Sequence, residues 1–166
     1  MSDWSTRAGS TEADHDRLDP AAQAPGQEFV FEDSLGYLAN RAARSLAHQL
    51  AEELRPTGVA IGQWAVLMFL WARDGMSQAE LSRVVAIEPP TMVRTVDRMV
   101  RDRLVTRVPD PADGRVARIC LTERGRSLRD ELVPKAAAVN GRNLSRLTER
   151  EGRTLRRLLG KLLVEA

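Results

Sequence analysis

The stretch from Ser77 to Gly125, SQAELSRVVAIEPPTMVRTVDRMVRDRLVTRVPDPADGRVARICLTERG, decides the fold. It opens on Ser77, with Glu80 three residues on. A serine there accepts a hydrogen bond from the third helical N–H, and the glutamate reaches back to the serine's own N–H, so the pair predicts a helix start. Met76, just before the cap, is placed to pack on Leu81 as a hydrophobic staple. This helix is short and ends near Val85. Glu88-Pro89-Pro90-Thr91 then opens another helix, where proline is tolerated because a first-turn N–H has no partner to lose. Two short helices joined by a tight turn read as a helix-turn-helix. Leu104 to Val108 reads as a strand, Asp110-Pro111-Ala112-Asp113-Gly114 as a turn, and Val116 to Leu121 as the returning strand. Thr122 caps the helix that follows.

The helix from Pro89 to about Asp102 carries Val93, Val96 and Val100 on one face, expected to pack inward. Thr91, Arg94, Thr95 and Arg98 recur on the opposite face. A helix fits the major groove, where arginine bonds guanine and threonine bonds a base edge or touches a thymine methyl. The N-terminal part of such a helix makes most base contacts, so Thr91, Met92, Arg94 and Thr95 are the candidate base readers. Arg98 and Arg101 are read as phosphate contacts. Ser77 and Gln78, opening the preceding helix, join the candidates. The same pattern also describes the solvated side of any amphipathic helix, and the hairpin favours nucleic acid. Its tip carries Arg115, Asp113 stands two residues before to orient that guanidinium, and Arg107 and Arg118 lie on the strands.

Outward from this stretch, Leu35, Leu38, Ala42, Leu46, Leu50 and Leu54 form an apolar stripe on a helix from Asp33 or Ser34 to Leu54, which Pro56 and Gly58 end. A second helix, Ile61 to Arg73, is expected to bury Trp64, Leu67, Leu70 and Trp71, with Gly75 left-handed beyond it. On the other side, Thr122 caps a helix over about 123–140, and Thr148 with Glu151 predicts a last helix to about Val164. Its apolar face is Leu155, Leu158, Leu159, Leu162 and Leu163. The first and last stripes exceed what one small lobe covers, which predicts a homodimer through Leu35, Leu38, Leu155, Leu158, Leu159 and Leu162, the alternative being that both helices pack within a monomer. Residues 1–28, acidic and interrupted by Pro20 and Pro25, are expected to be a flexible tail. Residues 29–166 are expected to form a single domain, with a winged lobe over about 60–121 and dimerisation helices over about 34–55 and 123–164.

A chain of 166 residues, 43% hydrophobic and 29% charged, suits one globular domain. Net charge is only +2, so placement of charge has to carry the argument. Lys135 and Lys161 are the only lysines among 25 basic residues. Arginine's planar fork suits phosphates and guanine edges, although compositional bias explains the excess equally well. Cys120 is the single cysteine, so one chain holds neither a disulfide nor a thiolate metal site. His15 and His48 lack ligand-spaced neighbours. No metal, cofactor or catalytic residue is expected: neither a Ser/His/Asp set, a phosphate-cradling glycine loop nor an isolated carboxylate pair emerges. The longest apolar run, Trp64 to Ala72, is too short for a bilayer, and no signal peptide is expected, so the chain reads as cytoplasmic.

The order helix, helix, capped short helix, recognition helix, wing and two terminal helices resembles the MarR family of winged helix-turn-helix regulators. The resemblance covers roughly 34–164, and is most specific in the Ser77 to Gly125 motifs, above all the wing followed by Leu121-Thr122-Glu123-Arg124-Gly125. It implies a mainly α fold with a small β-wing, intertwined as a homodimer through its N- and C-terminal helices. It implies a sequence-specific regulator, a repressor, on an inverted-repeat operator in double-stranded DNA. By the same resemblance, Asp113 and Arg115 match the wing pair that engages the minor groove. A small effector, an aromatic acid or an acyl coenzyme A, is implied to modulate DNA affinity. Trp64, Met68 and Trp71, with Arg41, Arg44 and His48, are placed to frame a pocket for it; alternatively the tryptophans are plain core and the arginines plain surface. One departure is Arg103, where the family usually has glycine; a left-handed backbone there costs a side chain about 1 kcal/mol. The competing reading is a winged helix used for protein contacts, such as an antirepressor.

Overall fold

The computed structural model describes residues 30–163. The tail expected over 1–28, and Phe29 and Val164 at the ends of the expected elements, lie outside them. The chain divides between Leu38 and Ala39 into two units. In the first, a 3-10 turn, Phe31–Asp33, leads into the helix that starts at Leu35, and the Phe31 ring packs tilted against Tyr37 at 4.9 Å between centroids.

The elements are α1 (Leu35–Leu54), α2 (Ile61–Ala72), β1 (Met76–Ser77), α3 (Gln78–Val85), α4 (Pro89–Arg101), β2 (Val105–Pro109), β3 (Ala117–Leu121), α5 (Glu123–Leu144) and α6 (Glu149–Leu162). Mainly helical with a small antiparallel sheet ordered β1-β3-β2, this is a winged helix-turn-helix. The expected starts appear as hydrogen bonds. Glu80 N–H donates to Ser77 Oγ at 3.2 Å and Ser77 N–H to Glu80 Oε2 at 2.8 Å, closing the first box. Thr148 and Glu151 close the second at 2.7 and 3.3 Å. Thr122 Oγ1 accepts Gly125 N–H at 3.0 Å.

Three features go beyond what the sequence pattern showed. Met76–Ser77 forms a third strand, pairing with Ile119 and Arg118 of β3. Two residues carry no strand pattern of their own; they extend because β3 is there to bond them. Pro56 lies inside a 3-10 turn, Arg55–Thr57, that closes on Gly58 at φ 74°. The fifth helix runs on to Leu144, past the expected end at Asn140, with Pro134 inside it.

The core lies between α2, α3, α4 and the sheet, with Leu67, Leu70, Leu81, Met92, Met99 and Ile119 at its centre. Each such side chain contributes roughly 1.5–3 kcal/mol by leaving water. Leu54 and Leu132 join it from α1 and α5. Gly125 allows α5 to approach the backbone just before β2: a Cβ there would stand 2.1 Å from the Leu104 carbonyl oxygen. That oxygen already accepts Thr122 N–H at 3.0 Å, and Trp71 Nε1 donates to the Gly125 carbonyl at 2.8 Å. Of the tryptophan pair expected on the buried side of α2, both are half-buried, edge to face at 5.7 Å.

Candidate nucleic-acid interface

Helix α4 settles which side chains are free to meet a partner. Met92, Thr95, Val96 and Met99 are buried, whereas Thr91, Val93, Arg94, Asp97, Arg98 and Arg101 are exposed. This corrects the expected face by about one residue. Met92 and Thr95 were read as base contacts, yet Met92 is in the core and Thr95 is 3% exposed. Val93, expected inside, is 44% exposed. Two overlapping stripes compete on this helix, and the one with two methionines buries more apolar surface than the one with three valines. Thr95 tolerates burial because its hydroxyl donates back to the Thr91 carbonyl at 2.9 Å. The exposed face therefore presents Thr91, Arg94, Arg98 and Arg101 as expected, together with Val93, which pattern alone assigned to the core.

At the hairpin tip, Arg115 is 92% exposed. Its Nε donates to Asp113 Oδ1 at 3.1 Å and its Nη2 to Oδ2 at 3.3 Å, and its own N–H donates to Oδ1 at 3.1 Å. The Arg115 guanidinium first, then its N–H, hold the Asp113 carboxyl below the usual aspartate range. Asp110, at the base of the turn, accepts Ala112 N–H at 2.7 Å and Asp113 N–H at 3.3 Å and pairs with Arg118 Nε. The Ala112 N–H, then Arg118, lower its pKa also.

Other candidates are placed differently. Arg107 donates to Asp97 of α4 at 2.6 Å, tying β2 to that helix. Ser77 is occupied in capping α3. Gln78, beside it, has a buried amide nitrogen without a hydrogen-bond partner among the described residues. Arg103 stands at φ 58°, the left-handed region in which its departure from glycine is felt. Cys120 is half-buried on β3, and burial, then Asp74, push its thiol pKa up, which disfavours the reactive thiolate.

A cavity of about 530 Å³ opens between α1, α2 and α5, with Leu50, Ile61, Trp64, Met68, Val133 and Asn140 in its lining. Trp64 and Met68 were expected there. Trp71, Arg41, Arg44 and His48 are not in the lining. Trp71 is turned to the Gly125 carbonyl, and the others lie on exposed parts of α1. The helix stripe that turns Leu46 and Leu50 toward the cavity turns Arg41, Arg44 and His48 elsewhere. The lining from α5, some 90 residues away in sequence, carried no local signal. Gln63, beside Trp64, is buried; it caps α2 by accepting Ala60 N–H at 2.9 Å and donates to Asp102, after α4, at 2.6 Å. Among the described residues no helix is long and apolar enough to cross a membrane, and no cluster of His, Cys, Asp or Glu is fit to hold a metal.

A family model described as MarR family matches residues 57–116. The HTH-type transcriptional repressor Rv2887 of Mycobacterium tuberculosis is 34% identical over 129 residues, 77% of this chain and 92% of that protein. Its structure in complex with salicylic acid matches with a TM-score of 0.63 and 31% identity, over 78% of this chain and 96% of the other. CouR from Rhodococcus jostii RHA1, bound to p-coumaroyl-CoA, matches with a TM-score of 0.73 and 26% identity, over 84% and 98%. Apo MarR from Escherichia coli matches with a TM-score of 0.70 and 26% identity, over 82% and 99%.

Proposed function

The chain belongs to the MarR family of transcriptional regulators, and on that premise we propose that it is a repressor binding an inverted-repeat operator as a homodimer. The observation that carries this reading is the exposed arginine set: Arg94, Arg98 and Arg101 on one face of α4, and Arg115 at the wing tip. Arg94 and Thr91 read base edges in the major groove, with Val93 beside them to meet a thymine methyl. Arg98 and Arg101 neutralise phosphates, and Arg115 enters the minor groove beside Asp113. On α6, Leu155, Leu158, Leu159 and Leu162 are exposed in the single chain, as are Leu35 and Leu38 on α1. Covering such faces with a second copy supports the dimer, whose two-fold axis sets half-sites about one helical turn apart.

The cavity is the proposed effector site. Its volume suits a small ligand, and its lining supports an aromatic or acyl group packed on Trp64 and Met68. Asn140 offers that ligand a hydrogen bond; among the described residues the lining includes no cation, so a carboxylate on the ligand would find its counter-ion outside it. The relatives bound to salicylic acid and p-coumaroyl-CoA support an aromatic acid or its coenzyme A thioester.

Fluorescence anisotropy with duplex from the chain's own promoter region, at two salt concentrations, tests the DNA reading. Affinity should fall steeply as salt rises, by a slope of about 0.9 per phosphate neutralised. Arg115→Ala should weaken binding and leave the melting temperature unchanged. Binding to no fragment would transfer the case to a protein-contact module. A cavity ligand should raise the melting temperature and lower DNA affinity together.

A further inference from the structure

The wing tip and the helix-turn-helix are joined by a chain of charged contacts that runs through one residue, Arg118. It lies at the centre of the sheet, opposite Ser77 of β1 on one side and Val108 of β2 on the other. Its Nε grips Asp110, which is 6% exposed, while its Nη1 donates to Glu80 at 3.1 Å and to the Gly75 carbonyl at 3.5 Å. Glu80 in turn caps α3 through Ser77 N–H and accepts Arg73 from the end of α2 at 2.8 Å. Asp110 organises the turn by accepting Ala112 N–H and Asp113 N–H, and Asp113 holds Arg115. One planar guanidinium thus bridges a carboxylate that shapes the wing and a carboxylate that starts a helix of the DNA-reading pair. Lysine, a point charge on a flexible stem, cannot span the two in this way.

We propose that Arg118 is the positioning residue of the wing: by bridging Asp110 and Glu80 it orders the turn and sets the angle at which Arg115 meets DNA. This rests on the DNA-binding reading given above. Arg118 itself need not touch DNA; it acts through Asp110 and the turn. Arg107 with Asp97 provides the corresponding tie from β2 to α4, but it does not reach the turn that carries Arg115.

Two measurements on the full chain test this. The first is a double-mutant cycle in operator binding. Arg118→Met, which keeps the aliphatic stem, should weaken binding by about three- to tenfold. Adding Arg115→Ala should then cost no more than about twofold further, whereas adding Arg94→Ala should cost as much as it does alone. The second is amide hydrogen exchange without DNA, in which Ala112, Asp113 and Val116 should exchange faster in Arg118→Met while α4 is unchanged. Asp110→Asn, which keeps the acceptor for Ala112 N–H, is the second variant should Arg118→Met fold poorly, with the same pattern expected. Additive costs with Arg115→Ala, equal coupling to Arg94, or unaltered exchange at the turn would each overturn the proposal. If the wild type binds no duplex, the DNA reading fails, while the exchange measurement still decides whether Arg118 orders the wing.

Discussion

Replacing Arg103 with glycine should stabilise this protein, and the structure allows the size of the effect to be worked out. Arg103 sits at φ 58°, just past α4, where a Cβ crowds the backbone. That conformation costs an L-residue roughly 1–2 kcal/mol, while glycine loses about 0.5–1 kcal/mol more chain entropy on folding. The difference leaves about 0.5–1 kcal/mol in favour of glycine. Nothing else is forfeited in the backbone: the Arg103 N–H donates to the Val100 carbonyl at 3.0 Å, and its carbonyl accepts the Thr122 hydroxyl at 2.7 Å. Both bonds survive the substitution, and the side chain it removes is exposed. For a chain of this size the melting temperature should rise by about 1–4 °C. Arg103→Ala, which keeps the strain, should not rise and serves as the control. Differential scanning calorimetry under fixed buffer reads both. A lower melting temperature for the glycine variant would refute the strain argument. The same variant tests whether Arg103 touches a phosphate, since losing one contact would flatten the salt dependence of DNA binding by about 0.9.

Gly125→Ala should cost more than about 2 kcal/mol in urea unfolding, because its Cβ would stand 2.1 Å from the Leu104 carbonyl oxygen and neither backbone can move freely. An alanine variant as stable as wild type would mean that α5 does not approach the Leu104 backbone this closely. Arg94→Lys should weaken specific binding by about 1–3 kcal/mol while leaving most non-specific binding intact, since lysine keeps the charge and loses the fork. Equal losses on specific and random duplex would remove Arg94 from base reading. Stability should also fall in acid. The carboxyls of Glu80, lowered by the Ser77 N–H and hydroxyl before Arg73 and Arg118, and of Asp110 titrate below their ordinary range when folded. The unfolded chain therefore takes up protons first, so their contribution is full above the ordinary carboxylate range and is lost as the pH falls through the lower folded values. Asp110→Asn should be less stable than wild type at neutral pH and approach it toward the acid end; curves that stay parallel would show that Asp110 contributes no such linkage.

Determined by the sequence alone were the features whose partners lie within about four residues of one another. Ser77 with Glu80, Thr148 with Glu151, Pro89 in a first turn, the Asp110 to Gly114 turn and the Asp113–Arg115 pair all belong here. Their hydrogen bonds close locally, so residue type and spacing suffice, and with them came the helix-turn-helix and its wing.

Only the tertiary structure decided what depends on distant partners. Which stripe of α4 turns inward was undetermined, because Met92-Val96-Met99 and Val93-Val96-Val100 are both helical faces and packing against α2, α3 and the sheet chose between them. Met76 and Ser77 became a strand because β3 lies alongside, and Arg107 and Arg118 met Asp97, Asp110 and Glu80 through the sheet's pairing. The cavity combines Leu50, Trp64 and Asn140 from three helices, leaving Arg41, Arg44 and His48 out of its lining. Apolar spacing tells a helix that it has an inside. Only the neighbours that fill that inside settle which side chains remain for a partner.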